Sequence, residues 1–370
     1  MRFLVISHAP HYVKDGKIHS YGPLVKEMVL WEKRVGQMVV FAPEMEATAD
    51  PINLPYHHIQ TRLSSSPSLN FTSPGQSLWS FFKLPWIVLK MWSEMLKADH
   101  VHLRCPGNLA LIGCFLQILF PFKKKTAKYA GNWDKDSPQP FTYKLQRRIL
   151  SNTWLSHNIS VMVYGEWPDS TKNIKPFFTA SYYEKDFISF QKPAIQKGIN
   201  LIYVGGLFVA KNPMTALKVL ELLITKGEDV QLVFCGDGSE RAKIQQYAKT
   251  NNLENQVRLL GNVSAERVKE EFIQAHFLIF LSDSEGWPKV VAESMSWSCI
   301  PITSPVSCVP QMVGFGERGK LVTNDAEKIV NEILELKNSP EELDQMQTKA
   351  RDWARQFTLE KFGEELGKLL

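Results

Sequence analysis

Cysteine is scarce in this chain of 370 residues, which contains five of them. The number is odd and no two cysteines form a Cys-x-x-Cys pair, which argues against a disulfide framework and a cysteine zinc site. Most stand in apolar segments, where a cysteine is usually a small core side chain. The five are Cys105, Cys114, Cys235, Cys299 and Cys308.

Long hydrophobic runs are also missing. The longest, Leu109 to Phe122, is interrupted by Gln117 and Pro121, and it falls short of the roughly 20 apolar residues that cross a bilayer. The first ten residues, MRFLVISHAP, read as a strand and a loop without the apolar core of a secretion signal. We therefore expect a cytoplasmic protein.

The charge is weakly one-sided, with a net value of +5. This surplus is too small to indicate a nucleic-acid partner. Internal repeats and low-complexity tracts are absent as well. At this length a chain usually forms two domains, because single cores rarely exceed about 250–300 residues.

Residues 200 to 338 alternate regularly between short apolar strands and helices. Strands such as INLIYVGG and VQLVFCGDG are each followed by a helix of ordinary length. This pattern predicts a doubly wound parallel sheet, in which ligands bind beyond the carboxyl ends of the strands. The loops at that edge are GGLFVAKN, CGDGSE, LGNVS, SDSEGWPK and SPVSCVP.

The first half reads as a second, less regular α/β unit. Its predicted strands include RFLVIS, QMVVFAP, HVHLRCP, TAKYAGN and NISVMVYG. Residues 189–199 are the best linker, so we expect a first domain over 1–188 and a second over 200–356. The amphipathic tail, 357–370, is expected to pack back on the first domain. Predicted helices of the first half are 22–34, 85–97, 108–119 and 143–152.

The stretch SDSEGWPKVVAESMSWSCIP places two glutamates around a helix start. Pro288 suits the first helical position, so Glu285 lies on the loop before the helix and Glu293 inside it. The first backbone N–H groups of such a helix bind anions, and carboxylates accept hydrogen bonds from vicinal hydroxyls. A nucleotide-sugar would match all three features. On spacing alone, acidic residues that favour a helix start explain the pattern equally well.

In context the sequence resembles the retaining glycosyltransferases of family 4, which have the GT-B fold of two Rossmann-like domains facing across a cleft. The hallmark is Glu285-GWPKVVA-Glu293 followed by SMSWSCIP. The family's other signatures follow in the same order in YVGGLFVAKN, LVFCGDGSE and VRLLGNVS. The resemblance is specific through residues 200 to 325 and weak through the first 185.

The resemblance implies transfer of a hexose-type sugar from a nucleotide-diphosphate donor of the UDP or GDP type to a hydroxyl of a glycan or lipid-linked acceptor. The anomeric configuration is retained, no metal or other cofactor is used, and bacterial surface polysaccharide biosynthesis is the expected setting. Lys211 would meet the diphosphate and stabilise the leaving group. Glu285 would contact the donor sugar, and Glu293 would hold the ribose. The other implied donor-binding residues are Gly205, Gly206, Gly236, Gly238, Leu260, Asn262, Val263, Gly286, Trp287, Pro288, Lys289 and Val290.

Two positions depart from the family pattern. Gly206 stands where an arginine is usual, and Arg104, Lys128, Arg258 or Lys289 could supply the missing cation. The usual first-domain histidine is absent from KYAGNWD. Asn132 or Asp134 could take a polar role there, but a turn is the favoured interpretation.

The loop after the first strand contains Gly16 and Gly22. In the family a glycine-rich loop here precedes a helix whose N-terminus faces the phosphates or the acceptor, and Gly22-Pro23 fits such a helix start. A plain turn glycine is the other interpretation. The irregular spacing of His8, His11 and His19 indicates solvated polar residues rather than metal ligands.

Other classes of function stay open. A catalytically silent GT-B subunit that binds a nucleotide-sugar or scaffolds a partner is one, and a GT-B epimerase or phosphorylase is another, because fold does not fix function. A dinucleotide oxidoreductase fits poorly, since Gly236 and Gly238 lack the third glycine of its fingerprint.

The segment SLWSFFKLPWIVLKMWSEMLK, residues 77 to 97, combines aromatic side chains with lysines every seven residues. This pattern suits peripheral contact with an anionic membrane surface, as at the cytoplasmic face of an inner membrane. A buried helix of the first domain with one wet edge is the alternative.

Overall fold

The computed structural model of the chain describes residues 1–46, 53–57, 60–69 and 73–370. These residues group into two compact units. The first unit contains Met1–Phe177 and Gly363–Leu370, and the second contains Phe178–Phe362.

The first unit is built on a parallel sheet with helices between its strands. Its strand order is β10-β9-β8-β7-β1-β4-β6, and a small antiparallel sheet, β2-β3-β5, accompanies it. The strands are β1 (Arg2–Ile6), β2 (His11–Lys14), β3 (Lys17–Tyr21), β4 (Gln37–Pro43), β5 (Asn53–Pro55), β6 (Thr61–Ser66), β7 (His100–Cys105), β8 (Lys124–Tyr129), β9 (Ile159–Tyr164) and β10 (Ile174–Phe177). The helices are α1 (Gly22–Glu32), α2 (Pro74–Lys97), α3 (Asn108–Leu116) and α4 (Phe141–Ser151).

The second unit repeats this plan. Its parallel sheet has the order β13-β12-β11-β14-β15-β16, so the strand order reverses between β11 and β14, where doubly wound sheets bind ligands. The strands are β11 (Ile199–Val204), β12 (Val230–Cys235), β13 (Val257–Gly261), β14 (Phe277–Phe280), β15 (Ile300–Thr303) and β16 (Lys320–Leu321). The helices are α5 (Pro213–Thr225), α6 (Arg241–Thr250), α7 (Ala265–Gln274), α8 (Lys289–Ser296), α9 (Val309–Met312), α10 (Ala326–Asn338) and α11 (Pro340–Ala354). The last helix, α12 (Leu359–Gly367), begins in this unit, and its residues from Gly363 onward belong to the first unit.

The predicted fold class is confirmed: both units are α/β, with parallel, Rossmann-like sheets. The central strands are almost fully buried, as expected of apolar runs that helices cover on both faces. The five cysteines are all free and buried, in agreement with the core role expected of them. Among the described residues, no helix is both long and apolar enough to span a membrane.

The boundary between the units differs from the expected linker at 189–199, which lies inside the second unit. The chain from residue 178 onward already packs on that unit. The rings of Tyr182, Phe187 and Phe190 lie 5.5, 5.9 and 5.7 Å from that of Trp297. Scattered aromatic residues have no periodicity, which is why this segment resembles a linker at the level of sequence.

Two elements of the first unit also differ from the prediction. Helix α2 begins at Pro74, eleven residues before the predicted start at Pro85, which lies within the helix. Pro85 is exposed, so water can satisfy the carbonyl that its missing N–H would have paired. The loop after β1 is a hairpin, with Asp15 and Gly16 at positive φ of 51° and 72°, as a two-residue turn requires.

Candidate functional site

The site predicted in the second unit lies where the loops after β11, β12 and β13 meet. The Gly205 N–H donates to the Cys235 carbonyl at 3.0 Å, and the Gly236 N–H donates to the Gly261 carbonyl at 2.8 Å. Leu207 donates to the Asp237 carbonyl at 2.9 Å. These backbone bonds tie three loops into one rim at the carboxyl edge of the sheet.

Two glycines allow this close approach. A Cβ at Gly236 would lie 1.9 Å from the Gly205 carbonyl oxygen, and a Cβ at Gly238 would lie 2.4 Å from that of Leu207. Gly236 also has a φ of +143°, where side chains are strained. The GxG turn is therefore needed for the crossing of the two loops, whatever ligand binds beside it.

A short 3₁₀ turn, Val209–Lys211, positions Lys211 on the same rim. Asn212 follows in the left-handed conformation at φ 52°. Its side chain makes no capping hydrogen bond to α5. It donates instead to the Leu281 carbonyl at 2.7 Å and to Asp283 Oδ1 at 2.8 Å, which joins the β11 loop to the loop after β14.

Lys211 and Glu285 form an ion pair across these joined loops. Their side chains are 33% and 16% exposed, so both are accessible from the rim. Tyr203 supports the loop from below, because its hydroxyl donates to the Gly206 carbonyl at 3.0 Å. Burial, and next the negative charge of Glu285, raise the pKa of Tyr203, so this hydroxyl keeps its proton.

Helix α8 begins directly after Glu285-Gly286-Trp287-Pro288, with Pro288 as its N-cap. Glu293 is half-buried within it, and one of its carboxylate oxygens accepts a hydrogen bond from the Ser181 hydroxyl. The first turn of α8, which includes Lys289 and Val290, presents backbone N–H groups in the manner of an anion site. The glutamates thus flank the helix start, as the sequence predicted.

The turn before α8 is held from two directions. The Ser307 hydroxyl and the Cys308 thiol both donate to the Gly286 carbonyl, at 3.0 and 3.3 Å. On the other side the Trp287 ring lies 6.3 Å from that of Trp353 and 5.7 Å from that of Phe357. Trp287 therefore anchors the loop by packing.

The segment predicted to frame a nucleobase follows β13. Leu260 belongs to the strand, Gly261 has a φ of +69°, and Asn262 and Val263 form the loop before α7. Asn262 is exposed, whereas Leu260 and Val263 are half-buried. This loop reaches the rim through the bond from Gly236 described above.

The position of the family's usual arginine is covered by an aromatic ring. A Cβ at Gly206 would lie 2.5 Å from Phe208 Cε2, so a side chain there requires the half-exposed Phe208 ring to move. Of the four cations considered as substitutes, Arg258 lies in the middle of β13 and pairs with Glu271 at 2.9 Å. Lys289 begins α8, next to Glu285 in the chain.

The other two cations, Arg104 and Lys128, lie in the first unit and hold a buried carboxylate. Both bind Glu27 of α1, Lys128 at 2.9 Å. Burial alone would raise the pKa of Glu27, but the guanidinium of Arg104 and the ammonium of Lys128 together lower it to about 2. This triad lies within the first unit and carries a net charge of +1, because two cations share one carboxylate.

Most of the remaining residues that the sequence singled out in the first unit lie in turns. Gly16 occupies the hairpin turn, and Gly22 opens α1 as predicted. Asn132 Oδ1 accepts from the Asp134 N–H at 2.9 Å, and Asp134 Oδ1 accepts from the Asp136 N–H at 3.0 Å. The turn interpretation of KYAGNWD is thus confirmed.

The expectation that the histidines are solvated is wrong for His11. Its ring is buried, with Nδ1 2.8 Å from the Ala9 carbonyl and Nε2 3.1 Å from the Tyr56 hydroxyl. Burial lowers the pKa of His11 to about 4, against a smaller raising effect of the Ala9 carbonyl. In the described part of the chain, no group of three or more His, Cys, Asp and Glu side chains could hold a metal ion.

Sequence reasoning missed three supporting residues. Ser181 and Ser307 lie far along the chain from the groups they bind, and Tyr203 appeared only as a strand residue. SPVSCVP was identified as a rim loop, but no spacing pattern singles out Ser307. Local sequence carries no signal for such long-range hydrogen bonds.

Comparison with known proteins finds similar proteins for this region. Residues 184–353 match the family described as glycosyl transferases group 1. The chain is 25% identical over 115 residues to the phosphatidylinositol N-acetylglucosaminyltransferase GPI3 subunit of Saccharomyces cerevisiae, a match over 31% of this chain and 25% of that protein. It is 31% identical over 169 residues to an uncharacterized glycosyltransferase of Haemophilus influenzae, over 45% and 47% of the two chains.

The chain therefore spans about a quarter to a half of the length of these curated relatives. Solved structures extend the likeness to the whole chain. Anabaena HepE in complex with UDP superposes with a TM-score of 0.70 at 13% identity, over 100% of this chain and 99% of that one. The fold is GT-B, and residues 184–353 match the family described as glycosyl transferases group 1.

Proposed function

We propose that this chain is a retaining glycosyltransferase that moves a hexose-type sugar from a nucleotide-diphosphate donor, of the UDP or GDP type, to a hydroxyl of an acceptor. The observation that carries the proposal is the arrangement at the start of α8. The Lys211–Glu285 ion pair lies on the rim, and Glu293 follows inside the helix.

Each part of this arrangement matches one part of a nucleotide-sugar. The diphosphate would bind at the first turn of α8, where backbone N–H groups and the helix dipole favour an anion. Glu293 would accept from the ribose hydroxyls with the carboxylate oxygen that Ser181 does not hold. The loop of Leu260, Asn262 and Val263 would frame the nucleobase.

The chemistry follows from where charge develops. When the bond from the sugar to the phosphate breaks, negative charge grows on the departing diphosphate. Lys211 would stabilise it, and a preformed cation at such a place lowers the barrier without reorganisation. Glu285, which binds Lys211 before the donor arrives, would accept hydrogen bonds from the donor sugar and fix its reacting carbon. The diphosphate charge would be met in this way without a metal ion.

Support for the donor and the acceptor comes from the similar proteins. HepE was solved with UDP, which fits a uridine donor here. The GPI3 subunit is named for a phosphatidylinositol acceptor, which fits a lipid-linked acceptor as one of the two classes, beside a glycan. Bacterial surface polysaccharide biosynthesis is the setting that we propose. A cytoplasmic location is supported by the five free thiols, because reducing compartments keep cysteines unpaired.

The test begins with the donor. The purified chain is screened by thermal shift against UDP- and GDP-sugars, and release of the nucleoside diphosphate is then measured with the donor that stabilises it. We expect one nucleotide class to raise the melting temperature and to be turned over slowly by water and faster with glycan or lipid-linked acceptors. Binding without any turnover would favour a silent subunit, and conversion of the donor sugar without diphosphate release would favour an epimerase.

A further inference from the structure

Helix α2 of the first unit presents two different faces. One face is buried and includes Ser80, Ile87, Met91 and Met95, which are four or seven positions apart, as is usual for a helix that packs on a core. The opposite face carries large apolar side chains that are exposed. The exposed large apolar side chains of α2 are Leu78, Trp79, Phe81, Phe82, Trp86, Leu89 and Leu96.

The extent of this exposure is unusual for a soluble surface. Trp79 is 70% exposed, Phe82 73% and Leu89 70%. Monomeric proteins rarely leave contiguous apolar patches uncovered, and large ones mark interaction sites. The buried face of α2 needs no further partner, so the exposed face is available for one.

The apolar surface continues past the end of the helix. The rings of Trp92 and Phe120 lie 4.8 Å apart, and the Lys123 ammonium donates to the Leu96 and Ala98 carbonyls. These contacts bring the loop after α3 beside α2. At its tip Phe122 is 92% exposed. We call Phe122 and the seven exposed large apolar residues of α2 the α2 surface.

Positive charge borders the α2 surface. Lys83, Lys90 and Lys97 follow one edge of the helix, and the Lys90 ammonium lies 4.6 Å from the centre of the Trp86 ring. The acid of α2, Glu94, is turned to the other side, where it is buried and bound to Arg2 and Arg62 at 2.6 Å each. The exposed edge is therefore basic.

A basic pocket opens beside Phe122. Asn158 Nδ2 donates to the Phe122 carbonyl at 3.2 Å, and His157 Nδ1 lies 3.2 Å from the Pro121 carbonyl. The same pocket is lined by four lysines, of which Lys124, Lys172 and Lys175 are exposed. The four are Lys124, Lys125, Lys172 and Lys175.

We propose that the α2 surface docks on an anionic lipid bilayer, with its aromatic and aliphatic side chains in the boundary between headgroups and acyl chains. Tryptophan and phenylalanine beside lysine are the side chains that favour this boundary. The lysines at its border would meet lipid phosphates. Because the other face of α2 is part of the core, the helix lies along the membrane surface and does not cross it.

The test is co-sedimentation with vesicles of phosphatidylcholine alone and of phosphatidylcholine mixed with an equal part of phosphatidylglycerol, without donor or acceptor. The parent chain should bind the anionic vesicles more tightly, and salt should weaken binding. The double variant Trp79→Ala/Phe82→Ala should bind about a hundredfold more weakly, since one buried aromatic side chain is worth about tenfold in affinity. Lys83→Glu/Lys97→Glu should lose binding to the anionic vesicles and its salt dependence.

Two matched variants test whether binding depends on the α2 surface or on exposed aromatic and charged side chains in general. Phe315→Ala removes another exposed aromatic ring, and Lys218→Glu/Lys349→Glu reverses two exposed lysines elsewhere; both should bind like the parent. Equal melting temperatures establish that the variants are folded. The proposal is overturned if the folded parent ignores anionic vesicles, if Trp79→Ala/Phe82→Ala binds them unchanged, or if light scattering shows that the α2 surface joins two copies of the chain. None of these outcomes depends on transferase activity.

Discussion

Single residues at the rim act through charge that is already in place. Lys211 and Glu285 are held opposite each other by the backbone of two loops and by the side chain of Asn212. A cation that is positioned before the donor binds needs little rearrangement when charge appears on the phosphate. In the proposed function the two glutamates, in contrast, would bind different hydroxyl groups, so we expect their loss to have different effects.

We predict that Glu293→Ala weakens nucleotide binding, because Glu293 would hold the ribose, whereas Glu285→Ala lowers turnover more than affinity. Lys211→Ala should lower turnover by about a hundredfold to a thousandfold, the usual effect of one lost electrostatic donor. Nucleotide affinity by calorimetry and diphosphate release rate are measured for each purified variant.

The matched controls are Glu254→Ala and Lys218→Ala, both at exposed positions of the second unit, and both should behave like the parent. Parent-like turnover by Lys211→Ala would transfer the proposed role to Lys289, the cation at the start of α8. Unchanged nucleotide affinity in Glu293→Ala would contradict the ribose assignment.

At the residue scale, sequence reasoning singled out the charged residues of the rim but missed the side chains that hydrogen-bond to them or to their loops. Glu285, Glu293 and Lys211 were visible because a local pattern carries them. Ser181 is separated from Glu293 by 112 residues, and no local pattern predicts such a bond. The sequence does not predict that the Phe208 ring covers Gly206, because the position of this ring depends on its rotamer and on the conformation of the loop.

At the scale of elements, the crossing of the β11 and β12 loops sets the geometry of the rim. The Gly205 carbonyl lies where a Cβ of residue 236 would be, and the left-handed φ of Gly236 adds strain to any substitution. This contact therefore requires glycine for steric reasons, separately from any ligand.

We predict that Gly236→Ala destabilises the fold by about 3 kcal/mol or more, because backbone strain and overpacking each cost about 1–3 kcal/mol. Gly227→Ala is the matched control, since Gly227 has a positive φ of 87° with open space around its Cα. It should cost only the strain, about 1–2 kcal/mol. Urea denaturation of both variants measures the difference, and equal costs would contradict the close contact.

Regular elements were predictable where burial imposes a pattern. Strands β11, β12, β14 and β15 stand out because strands that are mostly buried are short apolar runs between turn signals. The β2–β3 hairpin was missed because its residues are mostly polar, and the start of α2 was missed because Pro85 resembles a helix start. Helix α11 was not identified at all, although Pro340 and two glutamates mark its first turn.

At the scale of the whole molecule, the chain has the GT-B fold, and the rim lies at the carboxyl edge of the sheet in its second unit. The sequence predicted two α/β units, but it placed their boundary about eleven residues too late, because the aromatic contacts of residues 178–190 with Trp297 are not periodic. The sequence of residues 77 to 97 is compatible with a buried helix and with a membrane contact. The large exposed fractions of the side chains in the α2 surface favour the membrane contact.

The central claim is that the rim releases a sugar from a nucleotide-diphosphate donor with retained configuration. Proton NMR of the first sugar formed by donor hydrolysis tests it without knowledge of the acceptor. With an α-linked nucleotide-sugar that raises the melting temperature, we predict that the α-anomer appears first and that the β-anomer follows only by mutarotation. Appearance of the β-anomer first would contradict the account.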